Sequence, residues 1–242
     1  MNLETGSKTV LEIKDLTFDF IKNSDHQIIK HINLFVNEHE IIAIAGPNGV
    51  GKTTFLKLLV GLLKPQQGTI KVNNKEISNK KDLLHSIGLV FQNPDEQVFF
   101  PRVEEDIAFG LQNLRISPEE IKEKVHQVMH KLKITYLTGR SFFSLSFGEK
   151  KKVSLAGVFV TKPEIIILDE PTIGLDPWSK KEFISMLKTL SQESTLLITT
   201  HDYDLLREVT RINFLWDGNF IREFNNFQEF EEFSYTFQPI RE

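Results

Sequence analysis

At 242 residues with 40% hydrophobic side chains, the chain can bury one large α/β domain or a core with a small subdomain, and its lack of cysteine excludes a disulfide framework, a zinc site and a thiol nucleophile. The formal net charge of −4 argues against a dominant nucleic-acid surface, although a local basic patch survives such an average, and Lys150-Lys151-Lys152 is the one such cluster beside a motif. Met1 to Thr9 is polar without a hydrophobic signal region, and the longest apolar runs are about five residues against the roughly 20 that cross a bilayer, so a soluble protein is expected.

Residues 10–20 and 27–36 carry partial apolar alternation, with Ile32, Leu34 and Val36 on one side of the second, and Lys22-Asn23-Ser24-Asp25-His26 between them reads as a turn. This predicts a hairpin and an antiparallel sheet. Such a hairpin can lay an aromatic side chain over a purine ring; Phe20 is the candidate, with a plain core strand residue as the equal alternative.

Ile41-Ile42-Ala43-Ile44-Ala45 reads as a strand buried on both faces, and Phe55 to Leu63 as a helix. Between them, Gly46-Pro47-Asn48-Gly49-Val50-Gly51-Lys52-Thr53 fits the phosphate-loop pattern G-x-x-x-x-G-K-[ST], followed by Thr54. The glycines let successive backbone N–H groups turn inward as an anion nest, and the helix points its positive dipole end at the same spot. Lys52 then reaches the outer phosphates and Thr53 offers its hydroxyl to magnesium. The strand-helix context argues against a chance glycine-rich turn and for a bound nucleoside triphosphate.

Lys64-Pro65-Gln66-Gln67-Gly68 is a stop and a turn, Thr69-Ile70-Lys71-Val72 a short strand, and Asn73-Asn74 another turn. Ile87 to Phe91 is the next strand, ending in Gln92, where open α/β sheets place ligands; its amide can touch magnesium or a water, or be a solvated loop glutamine. From Asn93 to about Phe159 the pattern turns helical. Ser117-Pro118-Glu119-Glu120 starts a helix whose apolar stripe is Ile121, Val125, Val128, Met129 and Leu132. The apolar loop Val98-Phe99-Phe100-Pro101 is either tucked under these helices or, the favoured reading, kept for a partner. Ser146 and Gly148 open a helix from Lys150 to Val160 and form a second anion site, for which one phosphate loop has no evident use.

Ile165-Ile166-Ile167-Leu168 is a second buried strand, ending in Asp169 and Glu170. Adjacent strand residues face opposite ways, so the two carboxylates cannot share a job: Asp169 suits magnesium, and Glu170 suits orienting and deprotonating the attacking water. Gly174-Leu175-Asp176-Pro177 turns into a helix, and Thr195 to Thr200 is a third buried strand ending in His201, placed to hydrogen-bond a terminal phosphate. Phe214-Leu215-Trp216, Asp217-Gly218 and Asn219-Phe220-Ile221 signal a hairpin; Phe224 to Phe237 is an aromatic-rich tail of unassigned structure in a chain with 20 phenylalanines.

In line, these pieces resemble the nucleotide-binding subunits of ABC transporters from Leu11 to about Ile221. The matching positions are the phosphate loop, the family's glutamine loop at Gln92, its signature at Leu145 to Glu149, the carboxylates Asp169 and Glu170, the D-loop at Gly174-Leu175-Asp176, the switch histidine His201, and Phe20 as the aromatic that stacks on adenine. Within the family, Phe91 to Gln97, Val103 to Gly110 and Gly148 to Gly157 look like the ATPase subunits of energy-coupling-factor importers, which take up vitamins or cobalt and nickel ions.

The resemblance implies a single ABC ATPase domain, an α/β P-loop NTPase core with a mainly parallel sheet, over about 10–92 and 160–221. It implies an N-terminal antiparallel β subdomain within that core, an inserted helical subdomain at about 93–159, and a tail at 222–242. It implies ATP with Mg2+, held by Thr53, Gln92 and Asp169, and two subunits, the same chain or a homologue, closing head to tail so that Ser146 and Gly148 serve the other's triphosphate. It further implies an integral membrane coupling subunit docking near Val98-Phe99-Phe100, a substrate-binding membrane subunit, no nucleic acid, and a peripheral place on the cytoplasmic face of the cell membrane. A soluble ABC-type ATPase acting on nucleic acid or ribosomes is the alternative, but it usually carries two cassettes or a long insertion. One departure stands out: Phe147 occupies a position where the family usually has glycine, and a restricted backbone beside a phosphate is expected to weaken that half-site or demand a shaped partner surface. Glu149 for the commoner glutamine is a milder change.

Overall fold

The structure, a computed structural model, describes residues 8–21, 28–77, 86–112 and 116–237. The turn expected at Lys22 to His26, and the Gln27 start of the second strand, lie outside these residues. Strands β1 (Thr9–Phe18), β2 (Ile29–Asn37), β4 (Gln67–Val72) and β5 (Lys75–Glu76) form an antiparallel sheet in the order β2-β1-β4-β5. The expected alternation holds in β2: Ile32, Leu34 and Val36 are buried, while Phe35 between them is exposed.

The second sheet has β3 (Ile41–Ala45), β6 (Ile87–Val90), β7 (Ile165–Asp169), β8 (Thr195–Thr199), β9 (Arg211–Trp216) and β10 (Asn219–Phe224), ordered β10-β9-β3-β8-β7-β6 and parallel except for β10. Its central strands are continuous apolar runs because both faces are covered. Ile42, Ile44, Ile165, Ile167 and Leu197 join the core shared with the antiparallel sheet. Ile166, Leu168, Leu196 and Ile198 join the opposite core, built with helices α2 (Val103–Gln112), α3 (Pro118–Lys131), α4 (Phe147–Phe159) and α5 (Pro177–Leu190). Helix α1 (Lys52–Leu59) supplies Phe55, Leu56, Leu58 and Leu59 to the first core.

Several boundaries differ from expectation for local reasons. Helix α1 begins at Lys52 inside the glycine-rich motif and stops at Leu59, with Gly61 in the left-handed region at φ 66°. Gln67 and Gly68 belong to β4 rather than to a turn: at Gly68, φ 87°, a Cβ would lie 2.4 Å from the Asp15 carbonyl oxygen, so only glycine lets β4 approach the irregular stretch of β1. Helix α4 starts at Phe147 because Ser146 caps it, and β9 and β10 extend the hairpin beyond residues 214–221. Ser117 caps α3 as expected, its Oγ accepting from the Glu120 N–H at 3.1 Å.

The aromatic tail is a helix, α7 (Phe227–Thr236), capped by Asn226. Phe230 and Phe233 pack on Phe214 and Phe224, with Tyr203 of the short helix α6 (Tyr203–Leu206) beside them. Much of the phenylalanine excess therefore serves one local core.

Candidate functional site

Strand β3 runs into the phosphate loop, which has to pass close to β9. A Cβ on Gly46, φ 154°, would sit 2.4 Å from the Leu215 carbonyl oxygen, so no other residue fits there without moving the sheet. Lys52, the first residue of α1, is buried; its Nζ donates to the carbonyl oxygens of Gly46 at 2.8 Å and Pro47 at 3.0 Å, and lies 3.8 Å from Glu170 Oε1. Burial holds its pKa below the ordinary lysine value, against the opposing pull of Glu170 and Asp169.

The two carboxylates at the end of β7 take different partners. Asp169 accepts from Thr53 Oγ1 at 3.0 Å and from Thr199 Oγ1 at 2.5 Å. Glu170 has φ 44°, a left-handed conformation that costs a non-glycine residue about 1–3 kcal/mol. The Glu170 N–H donates to the Thr199 carbonyl at 3.0 Å, and Oε1 lies 3.0 Å from His201 Nδ1. Glu170 Oε2 is buried with no hydrogen-bond partner among the described residues.

These groups meet in a cleft of about 530 Å³ lined by Phe20, Asn48, Gly49, Gly51, Lys52, Thr53, Thr54, Gln92, Asp169, Glu170 and His201, together with Ile28 and Ile173. Phe20 lies beyond β1, 64% exposed and edge-on to Phe18 at 5.1 Å, so it is not a core strand residue. Gly46, Pro47 and Val50 stand behind the lining; Val50 packs on the core, and the other two give their carbonyls to Lys52. The donor set at Thr53, Asp169 and Gln92 is hydroxyl, carboxylate and amide oxygen, the hard ligands that suit Mg2+, which takes only one or two carboxylates and leaves its other positions to phosphate and water.

Ser146 and Gly148 do not line this cleft. At the start of α4 the Ser146 N–H donates to Glu149 Oε2 at 2.8 Å, while Ser146 Oγ accepts from the Glu149 N–H at 3.3 Å. Burial raises the Glu149 pKa, but these Ser146 bonds and Arg140, 3.1 Å away, outweigh it and leave the carboxyl below its usual range. Phe147 sits in the first turn of α4 without a left-handed backbone, so the expected restriction is absent. Its ring folds back on its own chain: a Cβ on Gly174 would lie 2.8 Å from Phe147 Cε1.

Three functional contacts escaped sequence reasoning. Thr199 holds both carboxylate residues, and only its place at the end of an apolar run hinted at it. Gln97 bridges the end of β6, accepting from the Phe91 N–H and donating to the Leu89 carbonyl, each at 3.1 Å, which shapes the loop carrying Gln92. Lys151, read as part of a basic patch, is buried and bonded to the Pro171 carbonyl at 2.6 Å. Its neighbours Lys150 and Lys152 pair with Asp95 and Glu182, so the three lysines form no continuous cationic surface. The apolar loop is divided: Val98 packs on the helical core, Phe99 is 63% exposed over Phe109, and Asp106 accepts both the Phe99 and Phe100 N–H groups, its own pKa raised by burial.

Comparison with known proteins points one way. The family model described as ABC transporter matches residues 29–173. The chain is 38% identical over 220 residues to the energy-coupling factor transporter ATP-binding protein EcfA of Methanothermobacter thermautotrophicus, covering 88% of this chain and 70% of that one. It is 37% identical over 203 residues to EcfA2 of Clostridium perfringens, covering 81% and 70%. Among solved structures it is similar to cbiO1 of Clostridium perfringens, described as part of the ABC transporter complex cbiONQ, with a TM-score of 0.86, 35% identity and coverage of 93% and 92%. A dimeric ATP-binding cassette in a post-hydrolysis state with ADP and Pi superimposes with a TM-score of 0.77 at 26% identity, covering 89% and 98%.

Proposed function

The chain belongs to the ABC transporter family as an ATP-binding, ATP-hydrolysing subunit of the energy-coupling-factor type, and from that premise we propose that it drives import of a vitamin or a transition-metal ion by ATP-dependent closure of a dimer. The observation that carries this reading is an incomplete site. One cleft gathers Lys52, Thr53, Asp169, Glu170 and His201, while a second anion-binding helix start, at Ser146 and Gly148, stands outside it. A helix leaves its first N–H groups without intrahelical partners, so the start of α4 can seal a triphosphate held by another subunit. The solved cassette with ADP and Pi is a dimer, which supports that arrangement.

In this reading ATP lies with its ring against Phe20 and its phosphates over the loop at residues 46–53. Lys52 exchanges its two loop carbonyls for the outer phosphates. Thr53 and Asp169, with Gln92 nearby, would hold Mg2+, which would neutralise phosphate charge. Glu170 takes the proton of the attacking water, its free Oε2 providing the lone pair, and His201 holds the Glu170 carboxylate through Oε1 while facing the terminal phosphate. The exposed Phe99 beside the glutamine loop is the proposed seat of an integral membrane coupling subunit, whose partner binds the transported substrate. No described helix is long and apolar enough to cross a membrane, so attachment at the cytoplasmic face would come through that subunit.

The test is purification from membranes with a tagged Glu170→Gln chain in ATP and Mg2+. This reading expects retained ATP, a trapped dimer, turnover lowered on the order of 10²–10⁴-fold and an integral membrane protein alongside. A strictly monomeric ATP-loaded protein, alone or with a homologous ATPase subunit, would overturn it.

A further inference from the structure

Glu170 is held in a conformation it would not choose, and its two backbone sides have separate anchors. Its N–H donates to Thr199 at the end of β8. On the other side, the carbonyl oxygens of Glu170 and Pro171 face Lys151 Nζ at 3.4 and 2.6 Å. Lys151 is 2% exposed, spends its ammonium on these carbonyls, and has the Phe147 ring 5.3 Å away. Phe147 in turn touches Gly174 in the loop that follows Glu170 and Pro171. A buried ammonium is costly unless its hydrogen bonds are made, so the fold retains it here against burial because it finds these two carbonyls and the nearby Glu170 charge.

We infer that Lys151 is a positioning residue for ATP hydrolysis: it clamps the peptide after Glu170, fixes the direction of that carboxylate, and ties it to the helix that begins at Ser146. The inference rests on the reading of Glu170 as the proton acceptor. Lys151 does not itself line the cleft and meets its lining through the Glu170 backbone, away from the phosphate loop, so its removal acts on the chemical step and spares ATP binding. A misplaced base of about 1 Å costs on the order of 10²-fold in rate, and partial loosening of one anchor falls short of that.

The experiment compares Lys151→Met, Lys151→Arg, Glu170→Gln and the Lys151→Met/Glu170→Gln double variant in the full chain with magnesium ATP. It measures kcat, KM, affinity for a fluorescent ATP analogue, and thermal midpoint. The expected result is kcat lowered about 10- to 100-fold in Lys151→Met with KM and analogue affinity within about twofold, most of the rate restored by arginine, and no further loss when Met is added to Glu170→Gln. A Lys151→Met chain with normal kcat beside an inactive Glu170→Gln overturns the positioning role alone. So does a chain that loses affinity and thermal midpoint together without rescue by arginine. Normal hydrolysis by Glu170→Gln instead overturns the underlying reading of the base.

Discussion

The buried Lys151 ammonium makes a quantitative prediction about folding stability. Burial lowers its pKa to about 8 from the ordinary 10.5, with Glu170 pulling weakly the other way. Below about pH 8 the group is protonated in both folded and unfolded chains, and the cost of burying the charge is fully present. Between about 8 and 10.5 the unfolded chain keeps a proton that the folded chain gives up, so the unfolded state binds more protons and stability rises with pH. The whole gap corresponds to about 3 kcal/mol, and the part regained between about pH 7 and 9 is about 1 kcal/mol. Other groups also titrate over that range, so the measurement is a difference: urea unfolding of the wild-type chain and of Lys151→Met at each pH, with identical salt and no nucleotide. The wild type should gain about 1 kcal/mol relative to the variant on going from about pH 7 to 9. A constant difference between the two chains across that range would refute the reasoning, since it would mean that Lys151 gives up its proton no more easily folded than unfolded.

Three further outcomes can be checked. Thr199→Val removes the hydroxyl that serves Asp169 at 2.5 Å and the Glu170 N–H at 3.2 Å, and should lower stability by about 1–3 kcal/mol and turnover more than ATP affinity. Equal losses in binding and turnover would contradict its placement. Gly174→Ala introduces a Cβ 2.8 Å from the Phe147 ring at φ 78°, so it should slow hydrolysis; adding Phe147→Ala should recover the steric part and leave the backbone part, which a double-mutant cycle resolves. Lys52→Ala should abolish measurable affinity for an ATP analogue while the far-ultraviolet circular dichroism stays native, and unchanged affinity would remove Lys52 from the phosphate site.

Much of this was legible in the residues. Unbroken apolar runs such as Ile41 to Ala45 and Ile165 to Leu168 exist because both faces of the strand are covered, and the chemistry sits where those runs stop. Motif spacing brought Lys52, Asp169, Glu170 and His201 into one reading, and the structure gathers them in one cleft. What stayed hidden depends on direction rather than residue type. A run of three lysines looks solvated on paper, yet α4 turns Lys151 inward and its neighbours toward Asp95 and Glu182. Phe147 looked obstructive because the sequence does not reveal that its ring lies back on Gly174. The tail lacked helical periodicity strong enough to assign, since its phenylalanines pack on Phe214 and Phe224 from several sides.

Strand β7 is a shared partition. Ile165 and Ile167 press into the layer with the antiparallel sheet, Ile166 and Leu168 into the helical layer, and the next residues are Asp169 and Glu170. The two carboxyl groups therefore stand at the end of a strand that both layers grip, and a change of packing in either layer bears on the same strand. Trimming a methyl from Ile166 or from Ile167 would soften opposite walls of that strand, and comparing the two lesions would reveal which wall holds the carboxylates more firmly.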